Sequence, residues 1–249
     1  MLSLTSITKT QLHGGKRVDV IHDFSLTIAE GKFVAIVGPS GCGKSTLLRI
    51  IAGLDQEYTG TVVVGGESVT GPDVSRGMVF QENTLFPWLT VYENIAFGLR
   101  LQNMDDAVIA ERVATYLERT HLTAFASYYP NALSGGMQQR VALARALVTE
   151  PRVLLMDEPF GALDSQTRSQ MQEFLAELCD DLRMTIVFVT HDVGEAVFLA
   201  DEVLVLSPQP AKIAARFDVP FARPRRHALK QSDVFFALER SVTLALDNA

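Results

Sequence analysis

The sequence predicts an α/β fold around a largely parallel sheet, and three observations lead there. Short, uninterrupted apolar runs at Phe33-Val34-Ala35-Ile36-Val37, Val153-Leu154-Leu155-Met156 and Thr185-Ile186-Val187-Phe188-Val189 read as strands buried on both faces. Helix-periodic stretches alternate with them, at 44–52 (closed by Gly53), 165–182 and 193–199, and a further strand follows at 203–206. The middle of the chain breaks that alternation. From 91 to 147 it is mostly helical, with segments at 91–99, 105–120 and 135–148, as a helical subdomain inserted into the core would give.

The remaining elements follow in order. Phe24, Leu26 and Ile28 alternate with Ser25 and Thr27, the period of two of a half-buried strand. Thr61-Val62-Val63-Val64 before Gly65-Gly66 predicts a hairpin. The tail is proline-rich at first, with Pro208, Pro210, Pro220 and Pro224, and helical over 232–246. One domain covers 1–249: a core of about 1–85 and 150–207, a helical subdomain of about 86–149 and a tail of 208–249.

Composition narrows the function classes. The 249 residues carry a net charge of −7 and are 47% hydrophobic, enough for a sizeable core and wrong in sign for bulk attraction to nucleic acid. The cysteines are Cys42 and Cys179, which suggests no disulfide framework or metal site and fits a reducing cytoplasm. No run approaches the roughly 18 apolar residues of a membrane span. If the protein works at a membrane, other chains supply the spans.

The chemistry begins at Gly38-Pro39-Ser40-Gly41-Cys42-Gly43-Lys44-Ser45-Thr46, which fits the phosphate-loop pattern G-x-x-x-x-G-K-[ST] between a strand and a helix. Its glycines let backbone N–H groups turn toward phosphate oxygens, and the helix adds the positive end of its dipole. Lys44 would reach the outer phosphates and the Ser45 hydroxyl would ligate Mg²⁺. A second strand ends in Asp157-Glu158, at the carboxyl edge where α/β folds place ligands. Asp157 can hold Mg²⁺, and Glu158 can polarise an attacking water. Leu133-Ser134-Gly135-Gly136-Met137-Gln138-Gln139-Arg140 opens a helix with a second glycine-bearing N-terminus, hence a second anion site, although an ordinary serine N-cap would use the same residues.

Together these stretches resemble the ATP-binding subunits of ABC transporters. Leu133 to Arg140 is similar to that family's signature, Asp157-Glu158-Pro159 to the end of its acidic strand and Gly161-Ala162-Leu163-Asp164 to its D-loop. Gln81 resembles its Q-loop glutamine, which reaches Mg²⁺ and the water, and His191 its switch histidine. The motifs run in family order from 38 to 191, and general resemblance spans about 1–207. The resemblance implies a P-loop NTPase core with a mostly parallel sheet, an antiparallel β subdomain and the inserted helical subdomain. It further implies ATP hydrolysis with Mg²⁺ by a head-to-tail dimer of two copies, in which Ser134, Gly135, Gly136 and Gln138 act on the partner's nucleotide. Glu158, His191 and Gln81 are then catalytic, the residues 38–46 bind nucleotide, and Ser45, Gln81 and Asp157 hold the metal. Integral membrane permease subunits and, indirectly, a solute-binding protein are the implied partners, at the cytoplasmic face of the inner membrane.

Two details refine this. The family places an aromatic near the N-terminus to stack on adenine, whereas Gln11 stands there, with Leu12 and His13 as substitutes. Pro87-Trp88 after the Q-loop, the Asp157 to Asp164 stretch and the Leu206-Ser207-Pro208-Gln209-Pro210 tail resemble the nitrate, sulfonate and taurine importer branch, which favours a small anion as cargo. Trp88 would anchor a short permease helix, while Phe86 suits either that groove or the core. The rivals are a non-transport ABC ATPase of DNA repair or ribosomes, a small-molecule phosphotransferase and an exporter. Repair relatives separate the phosphate loop from the acidic strand by a long coiled coil, whereas Lys44 and Asp157 here are close in sequence, and a phosphotransferase has no need of Leu133 to Arg140. Arg223-Pro224-Arg225-Arg226-His227 reads as a solvated basic loop, with contact to membrane headgroups, a regulator or the partner cassette as the alternative.

Overall fold

The computed structural model describes residues 1–14, 16–182 and 184–249. Strands β1 (Leu2–His13), β2 (Lys16–Ile28) and β3 (Phe33–Val37) precede helix α1 (Lys44–Ala52). Then come β4 (Thr59–Val64), β5 (Glu67–Ser68) and β6 (Arg76–Val79). The helical stretch holds α2 (Val91–Leu101), α3 (Asp106–Arg119) and α4 (Gly135–Leu147). The chain returns to β7 (Val153–Asp157), α5 (Ser165–Leu182), β8 (Thr185–Val189), α6 (Val193–Leu199) and β9 (Glu202–Leu206). The tail adds β10 (Ile213–Asp218), a 3₁₀ turn at His227–Gln231 and α7 (Asp233–Asp247).

Among the described residues the strands form two sheets. The larger runs β10-β9-β3-β8-β7-β6, parallel throughout except for β10 on β9. The smaller, β2-β1-β4-β5, is antiparallel, and Val64 pairs with Glu67 across the Gly65-Gly66 hairpin. The apolar runs explain the layering, because successive side chains leave a strand on opposite faces. Phe33, Ala35 and Val37 join Leu154, Met156, Ile186 and Phe188 in one core, covered by α2, α4, α5 and α6. Val34 and Ile36 join Leu155, Val187 and Val189 in the other, roofed by α1 and by Phe24, Leu26 and Ile28 of the antiparallel sheet. Each fully buried Leu, Ile, Val or Phe contributes about 1.5–3 kcal/mol, so a polar residue in any of these runs would disrupt one layer or the other.

Helix boundaries follow local chemistry. Thr90 caps α2, with its hydroxyl accepting from Glu93 N–H while the Glu93 carboxylate accepts from Thr90 N–H. Gly53 ends α1 in the left-handed conformation at φ 77°. The alternating Ile213, Ala215 and Phe217 of β10 are only half-buried at the sheet edge, so its apolar signal is weak in the sequence.

The basic cluster departs from expectation. Arg225 is 4% exposed, and its guanidinium donates to Phe198 O at 3.0 Å and Ala200 O at 2.7 Å. Arg223 donates to Leu199 O at 2.8 Å and pairs with Asp201 at 3.2 Å. These carbonyls are the unpaired C-terminal ones of α6, the negative end of its dipole, so the two arginines cap a helix and pin the tail to the core. The reading of a solvated loop overlooked that guanidiniums can be buried once their donors are matched.

Candidate functional site

The carboxyl ends of β3, β7 and β8 converge at one edge of the large sheet, and the loops that follow them carry the site. After β3 the chain turns at Gly43, whose φ is 114°. A Cβ there would also meet Val20 Cγ1 at 3.1 Å, so the position requires glycine. Lys44 is 6% exposed, and its ammonium donates to Gly38 O at 2.7 Å and Pro39 O at 3.0 Å. The loop is thereby curled around its own cation at the start of α1, which is the arrangement an anion requires. Cys42 packs inside the curl, and burial raises its thiol pKa, so it acts as a small apolar filler.

Asp157 and Glu158 are adjacent in sequence and diverge in space. Asp157, 8% exposed, accepts the Ser45 hydroxyl at 2.9 Å. Glu158 adopts φ 44°, a left-handed conformation that costs a non-glycine residue about 1–3 kcal/mol. Two backbone bonds hold it there, Glu158 N–H to Val189 O at 2.9 Å and Gly161 N–H to Glu158 O at 3.1 Å. The turn aims Glu158 Oε2 at His191 Nδ1, 3.0 Å away beyond the end of β8. Gln81 approaches from the loop after β6. A methyl group placed on Gly161 would lie 3.9 Å from both Gln81 Nε2 and Glu158 Oε2. Lys44, Ser45 and Asp157 thus form one group, and Glu158, His191 and Gln81 the next.

Ser45 and Asp157 offer a hydroxyl and a carboxylate, hard oxygen donors that suit a small divalent cation. Burial raises the Asp157 carboxyl above its usual range, more than the Ser45 hydroxyl lowers it, so its charge lacks full compensation within the protein. A carboxyl harder to ionise folded than unfolded contributes stability below its ordinary value of 3.8, and that contribution is lost as pH rises through the higher folded value. Asp157→Asn keeps an acceptor for Ser45 and removes this cost. In Mg²⁺-free buffer at pH 7 its Tm is therefore expected to rise, by about 2–4 °C per kcal/mol regained, while Mg²⁺-dependent hydrolysis is lost. Parallel melting curves and phosphate-release assays check both halves.

The family model described as "ABC transporter" matches residues 21–161, more than half of the chain and the greater part of this site. The chain belongs to the ABC transporter family. It is 43% identical to the aliphatic sulfonates import ATP-binding protein SsuB of Bacillus cereus, over 97% of this chain and 94% of that protein. It is 46% identical to the nitrate import ATP-binding protein NrtD of Synechocystis, over 93% and 90%. A dimeric ATP-binding cassette solved in a post-hydrolysis state with ADP and Pi superposes with TM-score 0.77 at 34% identity, covering 89% of this chain and all of that one. This ABC chain is accordingly an ATP-binding ATPase.

The family's signature segment lies apart from the phosphate loop. Ser134 caps α4, accepting Met137 N–H at 3.4 Å, and Ser134 and Gly135 face solvent. Gly136 packs so tightly on the first turn of α5 that a Cβ would meet Thr167 Cγ2 at 2.7 Å. Among the described residues no hydrogen bond joins Ser134, Gly135 or Gly136 to residues 38–46. The Gln138 amide is spent internally, donating to Pro130 O at 2.9 Å and accepting from Asn83 Nδ2 at 3.4 Å. Gln11 lines an open cleft of about 790 Å³ with Thr8, Arg17 and Tyr58, Leu12 is exposed, and the His13 side chain lies outside the described residues.

Two further contacts escape sequence reasoning. Gln209 Nε2 donates to Gly41 O at 2.6 Å, bringing the tail onto the phosphate loop. Arg145 of α4 donates to Thr84 O at 2.8 Å and Asn83 O at 3.1 Å, tying the signature helix to the segment after Gln81. Neither glutamine nor arginine in those settings carries a local signal, because both partners are backbone carbonyls brought in by the tertiary fold.

Proposed function

We propose that this chain is the ATP-hydrolysing subunit of an importer for a small anion such as nitrate, a sulfonate or taurine, peripheral on the cytoplasmic face of the membrane. The observation that carries this reading is near full-length identity above 40% to proteins named for sulfonate and nitrate import, alongside an intact Glu158–His191 pair. Two copies pack head to tail, which gives the solvent-facing Ser134 and Gly135, with the buried Gly136 behind them, their role: this helix start closes on the γ-phosphate held by the partner's Lys44. Glu158 takes a proton from water as the water oxygen bonds to the γ-phosphorus and the bond to the β-phosphate oxygen breaks, giving ADP and Pi. His191 holds the Glu158 carboxylate toward that water, and Gln81 senses both. Ser45 and Asp157, with Gln81 near, would hold Mg²⁺, which would supply positive charge against the phosphates.

Permease subunits and a solute-binding protein complete the assembly. Trp88 is 70% exposed, with its ring 5.6 Å from Phe86, which itself packs 4.5 Å from Phe97. The fully buried Asn94 braces this turn, bonding Phe86 N–H, Phe86 O, Leu89 O and Thr90 O at 2.9–3.1 Å. A rigidly presented tryptophan is a suitable hot spot for a permease helix. Growth of a deletion strain on single sulfur or nitrogen sources, and uptake of the labelled anion, test the cargo class. Normal uptake of every such anion would overturn it. In that assay Trp88→Ala is expected to cut uptake about tenfold or more, with the ATPase of the isolated chain unchanged.

A further inference from the structure

Behind His191 runs a buried polar chain that the hydrolytic reading does not use. Thr190, 1% exposed, donates its hydroxyl to Glu195 Oε2 at 2.7 Å and accepts Asp192 N–H at 3.0 Å. Glu195, 5% exposed, accepts Gln172 Nε2 on its other oxygen at 3.0 Å. Gln172, 3% exposed, accepts from Lys230 Nζ at 2.6 Å. Lys230 belongs to the tail's 3₁₀ turn, and its ammonium lies 4.7 Å from the Phe198 ring centroid. Arg168 Nε lies 4.0 Å from Glu195 Oε1, and Arg168 Nη2 donates to Leu163 O at 2.9 Å in the Gly161 to Asp164 loop. Glu195 is therefore where the residue before His191, the loop beyond Glu158 and the tail meet.

Such a network is a poor way to gain stability. Burial raises the Glu195 carboxyl and lowers the Lys230 ammonium from their usual ranges, and apolar residues of the same size would fill the space at less cost. Its effect is geometric, since Thr190, Glu195 and Gln172 are each held between two partners that fix their orientation. We propose that Lys230, Gln172 and Glu195 are positioning residues for His191, through which the C-terminal tail governs the rate of ATP hydrolysis without touching nucleotide. This rests on the hydrolytic reading of His191. Without the Lys230 ammonium, Gln172 is free to turn its amide, Glu195 loses a donor, and Thr190 no longer fixes the backbone that carries the exposed His191.

The test uses the full chain with Lys230→Met, whose stem still packs on Phe198, and Gln172→Met as a second variant. Expected, at a temperature where both variants remain fully folded, are a kcat for ATP about tenfold lower, a KM within about twofold, a Tm lower by no more than a few degrees, and displaced His191 ring signals in the nitrogen–proton spectrum. Those signals are assigned through His191→Ala. A native kcat, unmoved His191 signals, or a loss of kcat that tracks a larger fall in Tm or a rise in KM in both variants would overturn the proposal. A native kcat in His191→Ala itself would instead remove the hydrolytic reading of His191, an outcome visible without either tail variant.

Discussion

Glu158→Gln is expected to lower steady-state ATP hydrolysis by about two to four orders of magnitude while leaving ATP binding intact. That is the range a positioned general base contributes. The substitution is nearly isosteric. The side-chain amide retains an oxygen to accept the His191 Nδ1–H bond, now made at 3.0 Å, but it cannot take a proton from water. The backbone turn at φ 44° is held by Val189 O and Gly161 N, neither of which depends on the side chain, so Tm should change little. Lys44, Ser45 and Asp157 sit in the neighbouring group and keep their contacts. Stalled with ATP, the variant should accumulate as the closed two-copy form, because nothing resets it. Phosphate release, fluorescent-nucleotide titration and size-exclusion chromatography with ATP measure the three quantities. Hydrolysis at the native rate would remove Glu158 from the catalytic role.

Much of this architecture was legible in the sequence because it rests on local rules. A strand buried on both faces must be apolar without interruption, so β3, β7 and β8 declared themselves. A phosphate loop must have glycine where φ is positive, and Gly43 at 114° is such a position. That Ser45, Asp157, Glu158 and His191 would gather at one edge was legible from strand ends in a parallel sheet, whereas the Ser45–Asp157 and Glu158–His191 hydrogen bonds appear only in the structure. The illegible parts depend on partners far away in the chain. Nothing near Arg225 indicates that Phe198 O and Ala200 O lie above it, so a buried helix cap looked like a charged loop. Thr190, Glu195, Gln172 and Lys230 each read as ordinary polar residues, and only packing of the tail on α5 and α6 makes a network of them. Gln209 on Gly41 is of the same kind. A polar residue with a distant partner leaves no periodicity behind.

Lys44→Met is expected to weaken ATP binding about 10²- to 10³-fold, and with it hydrolysis at ordinary ATP concentrations. Charged hydrogen bonds are worth about 1.5–3 kcal/mol each, and on the proposed reading the ammonium would turn from the loop carbonyls to the outer phosphates, so losing it is expected to remove one or two of them. Methionine matches the length of the stem, so the buried channel stays filled. It cannot donate to Gly38 O or Pro39 O, which Lys44 satisfies at 2.7 and 3.0 Å. An orphaned buried carbonyl costs about 1–3 kcal/mol, so the free variant should also melt a few degrees lower. The decisive measurement is the dependence of Tm on ATP, since a ligand that binds only the folded chain stabilises it by RT ln(1 + [L]/Kd). The native protein and Glu158→Gln should both gain Tm as ATP is added, Glu158→Gln at least as much, because it retains what it binds. Lys44→Met should gain almost nothing below millimolar ATP. Equal gains in all three would mean that Lys44 serves the loop's shape rather than the nucleotide. A flat response in Glu158→Gln would mean instead that its carboxylate belongs to binding, so the two variants together separate recognition of the phosphates from the chemistry done on them.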